Sequence, residues 1–579
     1  MSELNMKYSE ILEANRKLGN SLTESAYPIS VLSNVVVSPL KEVLEYNLRS
    51  EGINARVTLG SYDNILQDSA GLPDSNALIV FWELAAIVDG AHYRVNLMNQ
   101  DELLALESRV RRELDLFFAN ASKARLVIFN RFSALVFTHH EIRPSKLTLL
   151  ADNLNRHLAD TVPSNTILVD LNRLLAQVSI GRAVDFRFFY SSKLLYSLDF
   201  FKAYAGFVTP CICSAQGKAK KVLIFDCDNT LWKGVLGEDG PNGLEMSPAT
   251  PDGSIFREVQ AIALDLARQG VVLGLCTRNN LGDIEELLQS HPDMAVRPSD
   301  LATIRANWDD KASNLRALSE ELNLALESFV FVDDSPFELD YVRRCLPEVT
   351  CVQVPELLHE YPALVRGLSA LFFNLSLSSE DSRRAEQYRQ ERLRQGDRAR
   401  FSNLTEYLRS LGIKLHVEID NEALIPRVAQ LSQKTNQFNL TTRRYTEPEI
   451  EALVRGQNST VFALHAADRY GEYGVTGLAI VTYQEPAVAR IDLFLLSCRI
   501  IGRSIEYGFF DALIEPLLRR GILELKASYS QTPRNGPVSG FWEGLGFELT
   551  EEHGDTKSYR LELQRYNPRK LDYLEVSFG

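Results

Sequence analysis

The sequence predicts a multidomain α/β protein, with two parallel-sheet units followed by a mixed sheet. Three observations carry that expectation. The chain has 579 residues, enough for three or four domains at roughly 100–200 residues each. Over the first two thirds, short apolar runs alternate with longer stretches of helical period. Over the last third, strand-like runs outnumber helical ones. The composition is 45% hydrophobic and 24% charged, which excludes a disordered, collagenous or coiled-coil chain.

The first segment is expected at 1–215. Its apolar runs Ile29–Val37, Ala77–Trp82, Arg125–Phe129 and Thr166–Leu171 read as buried strands. Helix-period stretches Pro39–Arg49, Asp101–Phe118 and Lys146–Leu158 lie between them. The second segment, 216–375, opens with strand Val222–Phe225. A helix bearing Phe256, Val259, Ala263 and Leu266 on one face follows, with Gly270 placed to end it. Strands Val271–Cys276 and Phe329–Val332 come next. Residues 376–402 form a charged connection, whose stretch 380–400 holds seven Arg and five acidic residues and reads as a solvated helix. The third segment, 403–579, carries strands Lys414–Ile419, Val461–Ala466, Val475–Tyr483, Val488–Ser497 and Leu523–Ser528. Helices are expected at Glu422–Lys434, Ile505–Leu518 and Val538–Leu545, and Asp468–Gly474 reads as a turn.

Charge narrows the partners. Lys and Arg total 62 against 76 Asp and Glu, a formal charge of −14, so nucleic acid is not expected. No run reaches the roughly 18 apolar residues of a membrane span, and the polar start lacks an apolar signal region. Seven cysteines, an odd number, suit a reducing cytoplasm. Cys211 and Cys213 have no further cluster to complete a zinc site.

The strongest chemistry lies in the second segment. A strand ends in Asp226-Cys227-Asp228-Asn229-Thr230, a second ends in Cys276-Thr277-Arg278, Lys311 opens a helix, and a third strand ends in Asp333-Asp334. A lone DxD is usually a solvated turn, whereas this ordered four-part series is much more specific. Ligands of α/β folds bind at the carboxyl ends of strands. Phosphoryl transfer needs an in-line nucleophile and neutralised oxygen charge. One carboxylate serves as nucleophile and a second as proton donor. Clustered carboxylates repel unless a cation joins them, and Mg²⁺ prefers such oxygen ligands.

Asp226–Trp232, followed by Gly234-Val235-Leu236-Gly237-Glu238-Asp239-Gly240, resembles the first motif of the haloacid-dehalogenase superfamily, and more narrowly its FkbH-like branch. Gln433–Tyr445 (QKTNQFNLTTRRY) and Phe494–Arg503 (FLLSCRIIGR) resemble that branch's later hallmarks. The resemblance covers about residues 25–579 and is strongest at 221–345 and 425–547. It implies Asp226 as nucleophile, Asp228 as general acid/base, Thr277 as the phosphoryl-binding hydroxyl and Lys311 as the neutralising cation. It implies Mg²⁺ held by Asp226, Asp333 and the Asp228 backbone carbonyl, with Asp334 in support. Thr230, Arg278 and Asn279 are the expected substrate-binding neighbours. Arg278-Asn279-Asn280 stands where the branch often has Lys-Asn-Asp. The short stretch between Asp226 and Cys276 leaves no room for a large cap domain.

In the third segment, Arg499-Ile500-Ile501-Gly502-Arg503-Ser504 lies between a strand and a helix, where successive backbone N–H groups form an anion site. It resembles the acyl-CoA loop of GNAT acetyltransferases, with Ser504 where Gly or Ala is usual. Asn535 and Phe541–Phe547 resemble that fold's closing segment. Arg499, Gly502 and Asn436 are thus further candidates for binding. The FkbH-like resemblance implies a glyceryl transferase and phosphatase acting on 1,3-bisphosphoglycerate. Both phosphates are lost, and the acyl group passes through an enzyme cysteine to the phosphopantetheine thiol of an acyl carrier protein, for polyketide-type biosynthesis. Cys498, beside Arg499 at a helix start, is the preferred cysteine. Cys227 alternates into the core and Cys276 reads as core too. His139, His140, His416 and His465 lack a nucleophile to serve.

The first segment resembles an SGNH-hydrolase fold without its chemistry. Leu32-Ser33-Asn34-Val35 stands where the Gly-Asp-Ser motif belongs, and no DxxH appears near 184–200. A plain phosphatase on a small phosphorylated metabolite is the alternative function, and a non-enzymatic scaffold the third.

Overall fold

A computed structural model describes residues 6–23, 25–71, 76–122, 124–138, 141–373, 390, 394, 401, 403–435, 437–497, 500–532, 535–569 and 571–579. The chain divides into two compact units, Met1–Ala215 with Thr446–Glu449, and Gln216–Tyr445 with Ile450–Gly579. No described helix is long and apolar enough to cross a membrane.

The first unit holds strands β1 (Tyr27–Ser33), β2 (Ala55–Leu59), β3 (Ala77–Phe81), β4 (Val127–Asn130) and β5 (Thr166–Val169). They form one parallel sheet in the order β2-β1-β3-β4-β5. Helices Gln100–Ala121 and Lys146–Thr161 pack Leu106, Val110, Leu114, Leu150 and Leu154 against Leu78, Val80, Val127 and Phe129 on one face. The expected strand Ile29–Val37 stops at Ser33. There Asn34 leaves the ladder, and its side chain exchanges hydrogen bonds with the backbone of Glu83 at 2.6 and 2.9 Å.

The second unit opens with β6 (Val222–Phe225), β7 (Val272–Thr277), β8 (Thr303–Ala306), β9 (Phe329–Asp333) and β10 (Thr350–Gln353), all parallel, in the order β10-β9-β6-β7-β8. Alternation along the strands splits their side chains between two apolar cores. Leu223, Phe225, Leu273, Leu275 and Val330 meet Phe256, Val259, Ala263 and Leu266 of helix Pro251–Arg268. Val222, Ile224, Val272, Phe329 and Phe331 meet helices Lys311–Leu322 and Pro336–Cys345 on the other face. A sheet covered on both sides reads as continuous apolar runs, which is why β6, β7 and β9 are visible in the sequence. Gly274 stands in β7, between β6 and β8, because a Cβ there would lie 2.7 Å from Ile224 and 2.9 Å from Thr303. Between β6 and β7 the chain holds two isolated bridges (Asp228 with Trp232, Lys233 with Glu245), two short helical turns and the helix Pro251–Arg268, with no inserted sheet.

The same unit continues with β11 (Ile413–Ile419), β12 (Phe438–Asn439), β13 (Ser459–Asp468), β14 (Gly471–Glu485), β15 (Val488–Leu496), β16 (Glu524–Ser530), β17 (Glu548–His553), β18 (Thr556–Glu562) and β19 (Leu574–Phe578). The sheet is mixed, in the order β17-β18-β16-β15-β14-β13-β11-β19, with β12 paired to β15. Helix Ile505–Arg519 packs Phe509, Phe510, Leu513 and Leu517 into its core. Three expectations change here. The helix expected at Val538–Leu545 is only Phe541–Gly544, preceded by a tight turn at Gly536–Val538, because Gly540 interrupts the span and Gly544 ends the helix. The turn expected at Asp468–Gly474 is confined to Arg469-Tyr470, with Gly471 already in β14. The charged connection is not wholly solvated, since Arg394 is buried and makes paired 2.8 Å hydrogen bonds to Asp468.

Candidate phosphoryl-transfer site

Lys311 is placed by a helix start. Asp310 caps helix Lys311–Leu322, accepting from Ser313 N at 2.8 Å, so Lys311 is the first helical residue beside the sheet's carboxyl edge. Its ammonium is buried and donates to Asp226 Oδ1 (2.6 Å), the Cys276 carbonyl (2.9 Å) and Asp333 Oδ2 (3.1 Å). Ser335 caps the next helix, and its N–H donates to Asp333 Oδ1 at 2.9 Å. The ends of β6, β7 and β9 therefore converge on one cation.

Carboxylate oxygens of Asp226, Asp333 and Asp334 lie within 4.8 Å of one another. Burial pushes all three carboxyls above the usual carboxylate range, with Lys311 offsetting part of the rise. Burial disfavours the Lys311 charge, yet Asp226 and Asp333 outweigh it and raise that group too. One lysine among three carboxylates leaves negative charge uncompensated in a poorly hydrated place. A hard divalent cation is what such an oxygen set fits.

Asp228 stands apart from that trio. Its Oδ1 accepts from Trp232 Nε1 and Leu236 N, both at 3.0 Å, and its Oδ2 from Asn279 Nδ2 at 2.9 Å. Asn279 also donates to Thr277 Oγ1 at 3.1 Å. Thr277 is buried at the end of β7. Thr230 is wholly buried, with its carbonyl accepting from Tyr361 Oη at 3.0 Å and its Oγ1 without a hydrogen-bond partner among the described residues. Arg278 lies at the rim, 3.0 Å from Glu338. Trp232, Leu236 and Tyr361 were not singled out from the sequence for the site: the folded loop turns the first two onto Asp228, and Tyr361 comes from the distant helix Tyr361–Gly367.

Cys227 is wholly buried among Phe225, Leu231 and Trp232, and burial drives its thiol well above the ordinary value. Burial likewise pushes the Cys276 thiol up to about 12. Asn436, Cys498 and Arg499 lie outside the described residues, as do His139, His140 and most of 376–402. His416 and His465 pair across β11 and β13, His465 beside Glu418 at 2.8 Å. Gly502 (φ 85°) and Ser504 (φ 58°) form the left-handed turn into helix Ile505–Arg519.

The third sheet has a second notable feature. β15 and β16 pair in parallel only at Val488–Ile491 and Glu524–Ala527. Beyond that, Phe438–Leu440 lies between the two chains. Phe438 and Asn439 pair with Leu496 and Leu495, and Leu440 N donates to the Phe494 carbonyl at 3.3 Å. On the other side Ser530 N donates to the Leu440 carbonyl at 2.8 Å, and Asn535 Nδ2 donates to the Asn439 carbonyl at 2.9 Å. Three residues of the 433–445 segment are thus built into the sheet.

Among solved structures, the chain is similar to the N-terminal part of BF1531 from Bacteroides fragilis, which contains a phosphatase domain and was crystallised with Mg. The identity is 24%, covering 64% of this chain and 100% of that one, with a TM-score of 0.54. That likeness shows a shared fold. Matches at a TM-score of 0.22 include the ribosomal-protein-S18-alanine N-acetyltransferase of Escherichia coli (13% identity, 27% of this chain and 97% of that). Spermidine/spermine N-acetyltransferase SpeG of Vibrio cholerae matches at the same score (11%, 26% and 95%). No family model matches the chain, and no curated protein does.

Proposed function

We propose that the chain is a Mg²⁺-dependent phosphatase joined to an acyl-transferring domain, which converts 1,3-bisphosphoglycerate to a glyceryl thioester on an acyl carrier protein. The observation that supports it most is the buried convergence of Asp226, Lys311 and Asp333 at the carboxyl edge of a parallel sheet. Asp226, Asp333 and Asp334 would hold Mg²⁺, which when bound supplies charge neutralisation at the phosphoryl oxygens. An Asp226 oxygen forms a bond to phosphorus as the phosphorus–leaving-oxygen bond breaks, and that oxygen takes a proton from Asp228. A water that returns its proton to Asp228 then attacks phosphorus, breaking the aspartyl bond and releasing phosphate. Lys311 holds Asp226 in place and offsets its charge.

The acyl step rests on the FkbH-like resemblance and Cys498. The burial of Cys227 favours Cys498 over it as acceptor. Incubation with 1,3-bisphosphoglycerate and Mg²⁺, followed by intact mass measurement, is expected to give a glyceryl adduct that Cys498→Ser abolishes. No adduct, and no charged carrier protein after adding one, would defeat the transferase reading.

One observation favours the plain phosphatase instead. Phe438–Leu440 fills the split between β15 and β16, a natural place for an extended pantetheine arm. That reading expects phosphate release without carrier protein and no effect of Cys498→Ser.

A further inference from the structure

We infer that Trp232 and Asn279 are positioning residues that hold the Asp228 carboxyl in one orientation, with Oδ1 turned into the loop and Oδ2 toward Asn279. The inference rests on the phosphoryl-transfer reading above; it gives Trp232 a part, and gives Asn279 one other than the substrate binding expected of it.

The loop after β6 reverses within a few residues. Cys227 O accepts from Thr230 N (3.1 Å) and Leu231 N (2.8 Å), and Asn229 adopts a left-handed conformation (φ 52°). Asn229 N donates to Gly234 O at 3.2 Å, and Gly234 N donates to Asn229 Oδ1 at 3.0 Å. Asparagine tolerates that backbone region better than most residues. The reversal brings the Trp232 indole N–H and the Leu236 amide back onto Asp228 Oδ1, each at 3.0 Å.

A carboxyl oxygen has two in-plane lone pairs. Both of those on Oδ1 are engaged by N–H groups, and neither indole nor amide nitrogen accepts a hydrogen bond in return. Oδ1 is therefore held by the loop, and Oδ2 is the oxygen left to serve the reaction. Among the described residues Oδ2 accepts from Asn279 Nδ2 alone (2.9 Å), which leaves one of its lone pairs unengaged. The same amide nitrogen reaches Thr277 Oγ1 at 3.1 Å, so the acid and the phosphoryl-holding hydroxyl share one tether. Trp232 is wholly buried, and its N–H would lose its partner if Asp228 turned away. Packing alone requires an apolar ring at 232, not an indole N–H aimed at a carboxylate.

The test compares two phosphomonoesters with full-length protein and Mg²⁺. p-Nitrophenolate departs without a proton, whereas the alkoxide of glycerol 2-phosphate needs one. Reading kcat/KM confines the comparison to steps through departure of the leaving group. Trp232→Phe and Asn279→Ala are each expected to lower kcat/KM for glycerol 2-phosphate at least about tenfold more than for p-nitrophenyl phosphate. The Mg²⁺-induced rise in melting temperature should stay as in the wild type. Equal losses on both esters would overturn the positioning role while leaving the phosphatase reading intact. No turnover of either ester by the wild type would overturn the phosphatase reading and this inference with it. If Trp232→Phe does not fold, Asn279→Ala gives the same comparison with a smaller change of volume.

Discussion

Lys311 makes three hydrogen bonds inside a cluster whose other members are acids. Removing one member of a buried ion group leaves its partners uncompensated, so Lys311→Met is expected to lower stability without Mg²⁺ by about 3–5 kcal/mol in urea unfolding. Turnover of p-nitrophenyl phosphate should fall on the order of 10²–10³-fold, as when a charge-stabilising group is lost elsewhere. In the first unit, Glu83 is buried and accepts from Tyr196 Oη at 2.5 Å. Burial raises its carboxyl above the ordinary value, hydrogen bonds from Tyr196 and Ala85 offsetting part. The folded state therefore holds that proton more tightly than the unfolded chain does. The contribution is complete below the unfolded pKa and is lost as pH rises through the folded one. Between about pH 8 and about pH 5, the wild type should gain more thermal stability than Glu83→Gln, and equal shifts of the two melting curves would contradict this.

Among elements, the buried Arg394–Asp468 pair ties the charged connection to the β13–β14 turn. Tyr473 Oη donates to the same carboxylate at 2.6 Å. The Arg394 guanidinium stacks 4.5 Å from the Tyr473 ring centre. Arg394→Met should lose about 3–5 kcal/mol in urea unfolding, and adding Asp468→Asn should cost less than a second such loss, since among the described residues Asp468 then has only Arg503, 4.0 Å away, to offset its charge. This pair could not be read from 380–400, where seven Arg look alike. β6, by contrast, is plain in the sequence because Val222–Phe225 is buried on both faces. β8 and β10 are short and half polar, so their apolar signal was too weak, and β12 has only two residues. The acidic doublets were legible as chemistry because each ends an apolar run. The hydrogen bonds that hold Asp228 were not, because they depend on the left-handed Asn229 and on a side chain from the next strand's end.

Across the whole molecule, the described apolar clusters each draw on one sheet and its helices. Separate cores predict an unfolding profile with more than one calorimetric transition. A ligand stabilises only the part it binds, by about 2.7 kcal/mol at a hundred times its dissociation constant. Mg²⁺ is therefore expected to raise one transition and leave the rest in place, and Asp333→Asn should remove that response. A uniform shift of every transition would contradict the separation.

Residues Phe438–Leu440, β12 and the residue after it, occupy the gap between β15 and β16. This segment is tethered at both ends, so it meets β15 and β16 at an effective concentration of roughly millimolar or above, whatever the protein concentration. Any extended molecule seeking those strand edges faces a resident rival that never diffuses away. Measured affinity there would report the difference between guest and host, so a guest that binds has already outcompeted the chain's own peptide.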